Sequence, residues 1–174
     1  MRIFTLLAIC AALLLLPVKQ AGAGDVESRV KAAYIYNFTK FIQWPDEDAS
    51  TTTPIMICVA GSDPIRTVLG ELSNREAKGR MLKIVRVTEL DALPHCNILF
   101  ISRSEEHQLP LILQKTQGSH FLTVSDIPRF ASRGGMIGFT PEKDRLKMEI
   151  NQRNTAQAGL KVSAKLLEVA RIIP

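Results

Sequence analysis

The stretch IMICVAGSDPIRTVLGEL, residues 55–72, decides the fold. Its first part, 55–60, is a continuous apolar run with the length of a buried strand. Gly61, Ser62, Asp63 and Pro64 then interrupt it. Asp63 or Ser62 can cap a following helix, and Pro64 suits that helix's first turn. The spacing predicts a helix to about Leu72, so the stretch reads as a βα unit. Such a turn can also cradle a phosphate, but that needs a glycine-rich fingerprint such as GxGxxG or GxxxxGK[ST]. GSDP offers one glycine, an acid where the phosphate would sit and a proline without an N–H. The turn reads as a helix start, and nucleotide binding is not expected.

The same grammar continues outward. Residues 26–44 carry Val26, Val30, Ala33, Tyr34, Phe38, Phe41 and Ile42 at helical spacing, and Pro45 ends the segment. Strands are expected at 82–87, 97–102 and 121–124, with a helix at 104–117 and a short one at 126–131. After Gly134 and Gly135, two strands at 136–140 and 145–151 flank a turn and form a hairpin. Helices are expected at 151–158 and from Ala164, capped by Ser163. Strands alternating with helices argue an α/β fold. The expected architecture is one three-layer sandwich, with a mostly parallel sheet of five to six strands, flanking helices and a hairpin in the C-terminal half.

The N-terminus predicts export. Arg2 precedes an apolar run, 3–16, and Ala21, Gly22 and Ala23 place small residues at a cleavage site. The run is short of the roughly 20 apolar residues a membrane span needs. The expected domains are a signal peptide at 1–23 and one α/β domain at 24–174. Removing Arg2 and Lys19 leaves 20 Lys+Arg against 17 Asp+Glu, a balance of +3. That charge is mild and unclustered, which argues against nucleic acid. Cys58 and Cys96 survive cleavage. An even pair in an exported chain points to a disulfide; two buried thiols are the alternative, and two Cys without nearby His make an incomplete metal site.

No catalytic signature is present. His95, His107 and His120 stand at no recognisable spacing from Cys, Ser or carboxylates, and GxSxG and HExxH are missing. No cofactor or metal is expected. Two other stretches stand out. In KAAYIYNFTKFIQWP, 31–45, the aromatics cannot share one helical face, which leaves Tyr36 and Trp44 at the rim of the core or on a contact surface. In GGMIGFTPEKDRLKMEIN, 134–151, Leu146, Met148 and Ile150 alternate with Arg145, Lys147, Glu149 and Asn151. Opposite faces of one strand follow.

These stretches, together with ICVAGSDP, HCNILFIS, LTVSDIPRFASRGGMIGF and AGLKVSAKLLEVA in the same order, resemble the YfiR family, DUF4154, over nearly the whole mature chain. The resemblance implies a periplasmic α/β protein without enzymatic activity that dimerises. It implies repression of an inner-membrane diguanylate cyclase through that enzyme's periplasmic sensor domain, with an outer-membrane lipoprotein as competing partner and cyclic-di-GMP as output. Cys58 and Cys96 match a family disulfide. Some members carry a second cysteine pair flanking the GG segment; here 130–139 contains none. The partner-binding candidates are Lys31, Tyr36, Lys40 and Trp44 from the first stretch, and Arg145, Glu149 and Asn151 from the second. A small-ligand sensor signalling to a membrane partner is the alternative, and an unrecognised periplasmic hydrolase a third.

Overall fold

The computed structural model describes residues 23–45, 47, 52–89, 93, 95–143 and 145–173. The expected signal peptide lies outside the described residues except for Ala23. In chain order the elements are α1 (Ala23–Phe41), β1 (Ile42–Gln43), β2 (Ile55–Ala60), α2 (Ile65–Gly70), β3 (Glu76–Ala77), β4 (Arg80–Val87) and β5 (Ile98–Ile101). A 3-10 helix (Arg103–Gln108) leads into α3 (Leu109–Thr116), followed by β6 (Leu122–Ser125), a 3-10 turn (Ala131–Arg133), β7 (Ile137–Glu142) and β8 (Arg145–Asn151). The chain closes with α4 (Gln152–Gln157), β9 (Lys161–Val162), α5 (Ala164–Leu167) and β10 (Arg171–Ile173).

The chain is a mixed α/β fold around an eight-stranded sheet ordered β10-β8-β7-β6-β5-β2-β4-β3. The strands β7, β6, β5, β2 and β4 run parallel, as do β10 and β8, while the β7–β8 and β3–β4 pairs are antiparallel. The short β3 and β10 carry the sheet past the five to six strands expected. A separate ribbon, β1 with β9, joins the C-terminal end of α1 to the last part of the chain.

Alternation along the strands builds the two larger of three core clusters among the described residues. Ile57, Val59, Ile98, Phe100, Leu122, Val124, Ile137, Phe139, Met148 and Ile150 face one way, against Ala32, Ile35 and Phe38 of α1, Ile65 and Leu69 of α2 and Leu166 of α5. Phe38 stacks on Phe139 at 6.2 Å between ring centroids. Cys58, Ala60, Leu99 and Ile101 face the other way, against Leu109 and Ile112 of α3 and Phe130. Helices on both faces of the sheet make a three-layer arrangement.

The disulfide forms within the second core. Cys58 in β2 and Cys96 just before β5 are bonded, with Cα atoms 6.0 Å apart. Gly135 marks a close approach on the same side. A Cβ there would lie 2.1 Å from the ring of Phe130, which is fully buried.

Several expectations are corrected. Helix α1 ends at Phe41, because residues 42–43 leave it to pair with β9. Its core stripe is Ala32, Ile35, Phe38 and Ile42, whereas Val26 and Val30 are exposed. The two stripes have the same period, and the true one passes through Ser28 and Lys31, both buried despite their polarity. The expected helix at 104–117 begins as a 3-10 helix. The last helix stops at Leu167, since 171–173 extend the sheet beside β8. In place of the short helix at 126–131 there is a 3-10 turn at Ala131–Arg133.

Candidate functional site

Strand β1 continues directly from the C-terminal end of α1 and pairs with β9. There Lys40, Phe41, Gln43, Lys78, Arg80 and Lys161 line a cleft of about 520 Å³. Arg80 is buried at the start of β4. Its Nε donates to the Thr53 carbonyl at 2.6 Å and its Nη1 to Glu47 at 3.0 Å. Lys78 donates to Glu47 at 2.9 Å and to the Ile42 carbonyl at 2.8 Å. One carboxylate thus serves two cations in the wall. Lys40 and Lys161 stand exposed at the rim, with the Lys40 ammonium 4.1 Å from the centroid of the Tyr36 ring. Among the described residues the lining therefore presents more positive than negative charge, which suits an acidic partner or an anionic ligand.

Of the residues singled out by sequence, Tyr36, Lys40 and Trp44 gather around this corner, in different roles. Trp44 is buried to 5 % exposure, and its Nε1 donates to the Asn97 carbonyl at 3.1 Å. It braces the amino end of β5 and is not a rim anchor. Tyr36 is half-buried, and its hydroxyl donates to the Glu76 carbonyl. Lys78, Arg80, Lys161 and Glu47 were not singled out. They come from separate stretches that share no motif, and only the fold brings them together.

Lys31 lies at the other end of the strands, beside Asp126 just past the carboxyl end of β6. Its ammonium lies 2.6 Å from both Asp126 and Glu27. The Lys31 and Asp126 side chains are 7 % and 12 % exposed, so this pair is internal. Burial lowers the Lys31 pKa, but hydrogen bonds to Asp126 and Glu27 outweigh it and hold the ammonium above its ordinary value. Asp63 from the opening turn faces the same group, and its Oδ1 accepts the Ile65 N–H at 2.8 Å. The turn acts as a helix start, as expected, although Pro64 itself takes the N-cap position in place of Asp63 or Ser62.

Burial raises the Asp63 carboxyl above its usual range; Asp126 and Glu27 add to the shift, while the Ile65 N–H and Lys31 oppose it. A carboxyl raised on folding contributes stability that is complete below its unfolded pKa of about 3.9 and is lost as pH rises through the folded value. Asp63→Asn keeps an acceptor for Ile65. We expect it to unfold at least as high as the parent at pH 7, and to lose part of the parent's decline in stability above pH 4. Unfolding midpoints measured across pH 3–7 check this.

The third group sits on β8. Its alternation is as expected, with Met148 and Ile150 in the core and Arg145 and Lys147 exposed. Glu149 and Asn151 point away from that core but are themselves covered, at 9 % and 7 % exposure. Asn151 Nδ2 donates to the Ala131 carbonyl, and its Oδ1 accepts the Asn154 N–H at the start of α4. Glu149 meets Arg171 of β10 at 3.6 Å. The candidates therefore fall in three places, and Tyr36, Lys40 and Arg145 are the ones with surface to offer.

Among the described residues no group of three His, Cys, Asp or Glu side chains is placed to hold a metal. Among the same residues no helix is long and apolar enough to cross a membrane. A family model described as YfiR/HmsC-like, DUF4154, matches residues 28–171. Comparison with curated proteins returned no match.

Proposed function

Because the chain belongs to the YfiR/HmsC-like family, we propose that it is a non-catalytic periplasmic regulator that binds and represses the periplasmic sensor domain of an inner-membrane diguanylate cyclase. The family points to a periplasmic regulator of cyclic-di-GMP signalling, and its match across 28–171 is the observation that carries the reading. In this proposal 1–23 is a cleaved signal peptide, the working form is a homodimer, and an outer-membrane lipoprotein competes for it. Repression is then mass action. The regulator stabilises the inactive cyclase by its greater affinity for that state, and a competitor lowers its free concentration. Binding needs a firm shape and an exposed surface. The bridge between β2 and β5 supports the first, and the rim formed by Tyr36, Lys40 and Lys161 supports the second.

Deleting the gene is expected to raise cellular cyclic-di-GMP, and wild-type protein supplied in trans should restore it. A Lys40→Glu/Lys161→Glu variant should fail to restore it while keeping the parent's unfolding midpoint. An unchanged cyclic-di-GMP level on deletion, with the cyclase present, sinks the proposal. The cleft also favours a second reading, a sensor of a small anionic ligand, because about 520 Å³ is within the range of ligand pockets. A thermal shift that Lys40→Glu abolishes, with cyclic-di-GMP unaffected by deletion, would favour that reading.

A further inference from the structure

We propose that a second cleft, outside the carboxyl ends of β2 and β4, binds a small dipolar molecule of dipeptide size. In open α/β sheets, ligands settle beyond the carboxyl ends of the strands where the winding reverses. Here the chain leaves β2 for β4 on one side and then crosses to β5 on the other, so the reversal lies between β2 and β5, whose outgoing segments carry Gly61 and Glu105. A cleft of about 440 Å³ opens there, lined by Gly61, Arg86, Thr88, Glu105, Gln108 and Leu111. It is distinct from the Lys40–Lys161 cleft. Arg80 opens β4 at that cleft and Arg86 nears the strand's other end at this one, about 20 Å apart at the usual rise.

The two charges in the lining identify the ligand class. Arg86 is exposed and makes no ion pair or side-chain hydrogen bond among the described residues. Glu105 lines the same cleft yet is held by neutral donors. Its Oε1 accepts the Ser104 hydroxyl at 3.0 Å and its Oε2 accepts Gln108 Nε2 at 3.2 Å. Ser104 is positioned in turn by the Ser62 N–H, 3.0 Å from its Oγ. Gly61, at φ +87°, makes room for this arrangement, because a Cβ there would lie 2.4 Å from Ser104 Oγ and 2.6 Å from Glu105 Oε1. Any other residue at Gly61 would displace the carboxylate. A fixed negative pole and an unpaired positive pole across one concave surface complement a ligand with an anionic group at one end and an ammonium at the other.

The test is an amide NMR titration of the purified, disulfide-bonded protein with three probes: glycylglycine, N-acetylglycylglycine and glycylglycinamide. The last two each keep one of the charges. Titration to about 10 mM covers the millimolar affinities expected of so small a ligand. Glycylglycine should give saturable shifts at Gly61, Thr88, Glu105 and Gln108, and each singly charged analogue should bind about tenfold more weakly or worse. Arg86→Gln and Glu105→Gln should each weaken glycylglycine to a similar degree without moving the unfolding midpoint. Absence of saturable shifts, shifts confined to the Lys40–Lys161 cleft, or equal binding of the three probes overturns the proposal. None of these readouts depends on a cyclase, so failure here is separable from failure of the regulatory reading.

Discussion

Removing the Cys58–Cys96 bridge should cost the protein up to about 4 kcal/mol of stability, the chain-entropy figure for a loop of this length. The bridge closes a separation of 38 residues and ties two adjacent strands at the centre of the sheet. Both cysteines are buried, Cys58 at 0 % and Cys96 at 2 % exposure, so the replacement must be apolar. Cys58→Ala/Cys96→Ala is the suitable variant, since a buried serine hydroxyl would add its own desolvation cost. For a domain of this size the midpoint of thermal unfolding should fall by about 10 °C. Reductant should move the parent by a similar amount and leave the double variant unmoved. A parent whose midpoint is insensitive to reductant would show that the bridge contributes nothing to stability.

Lys31→Met should be comparably damaging, at about 3–5 kcal/mol, for a different reason. It strips the ammonium from Asp126, whose Oδ1 already has no hydrogen-bond partner among the described residues. The penalty is that of a carboxylate left charged and unpaired out of water. Neutralising the carboxylate should relieve it. Lys31→Met/Asp126→Asn is expected to recover more than half of the loss in urea unfolding. Losses that simply add would mean that the two side chains do not depend on one another. Glu27, half exposed, should matter much less. Loss of repression by Lys31→Met would then reflect a loosened fold, in contrast to the effect expected of Lys40→Glu/Lys161→Glu at the rim.

These two cases differ in how far sequence could reach them. The bridge was legible because the sequence predicts export and leaves two cysteines after its expected signal peptide. The role of Lys31 was not. It occupies a helical position next to an aromatic cluster, and its partner Asp126 is 95 residues away. Trp44 stays open between two readings in the sequence for a related reason. An aromatic before a proline can anchor a partner or close a core, and the hydrogen bond to the Asn97 carbonyl that decides between them is made across the fold. At the candidate cleft, Tyr36 stands out through its local aromatic pattern, and Lys40 only through the resemblance to the family. Lys78 and Arg80 belong to the turn and first residue of the β3–β4 hairpin and Lys161 to the β1–β9 ribbon, and the two-residue strands β3, β1 and β9 carry no periodicity.

What the sequence by itself determined is whatever repeats locally: the apolar run of β2 and the turn that ends it, the apolar runs of β5 and β6, the β7–β8 hairpin, the count of cysteines and the family these stretches share. Alternation and helical period are set by backbone geometry within a few residues, so they survive without knowledge of the rest of the chain. Tertiary structure alone decided which stripe of α1 faces the sheet, that 171–173 would be a strand, and which cations converge on one cleft. Each of these outcomes depends on burying or pairing a group against residues far away in the chain. That free energy does not exist until the layers have packed.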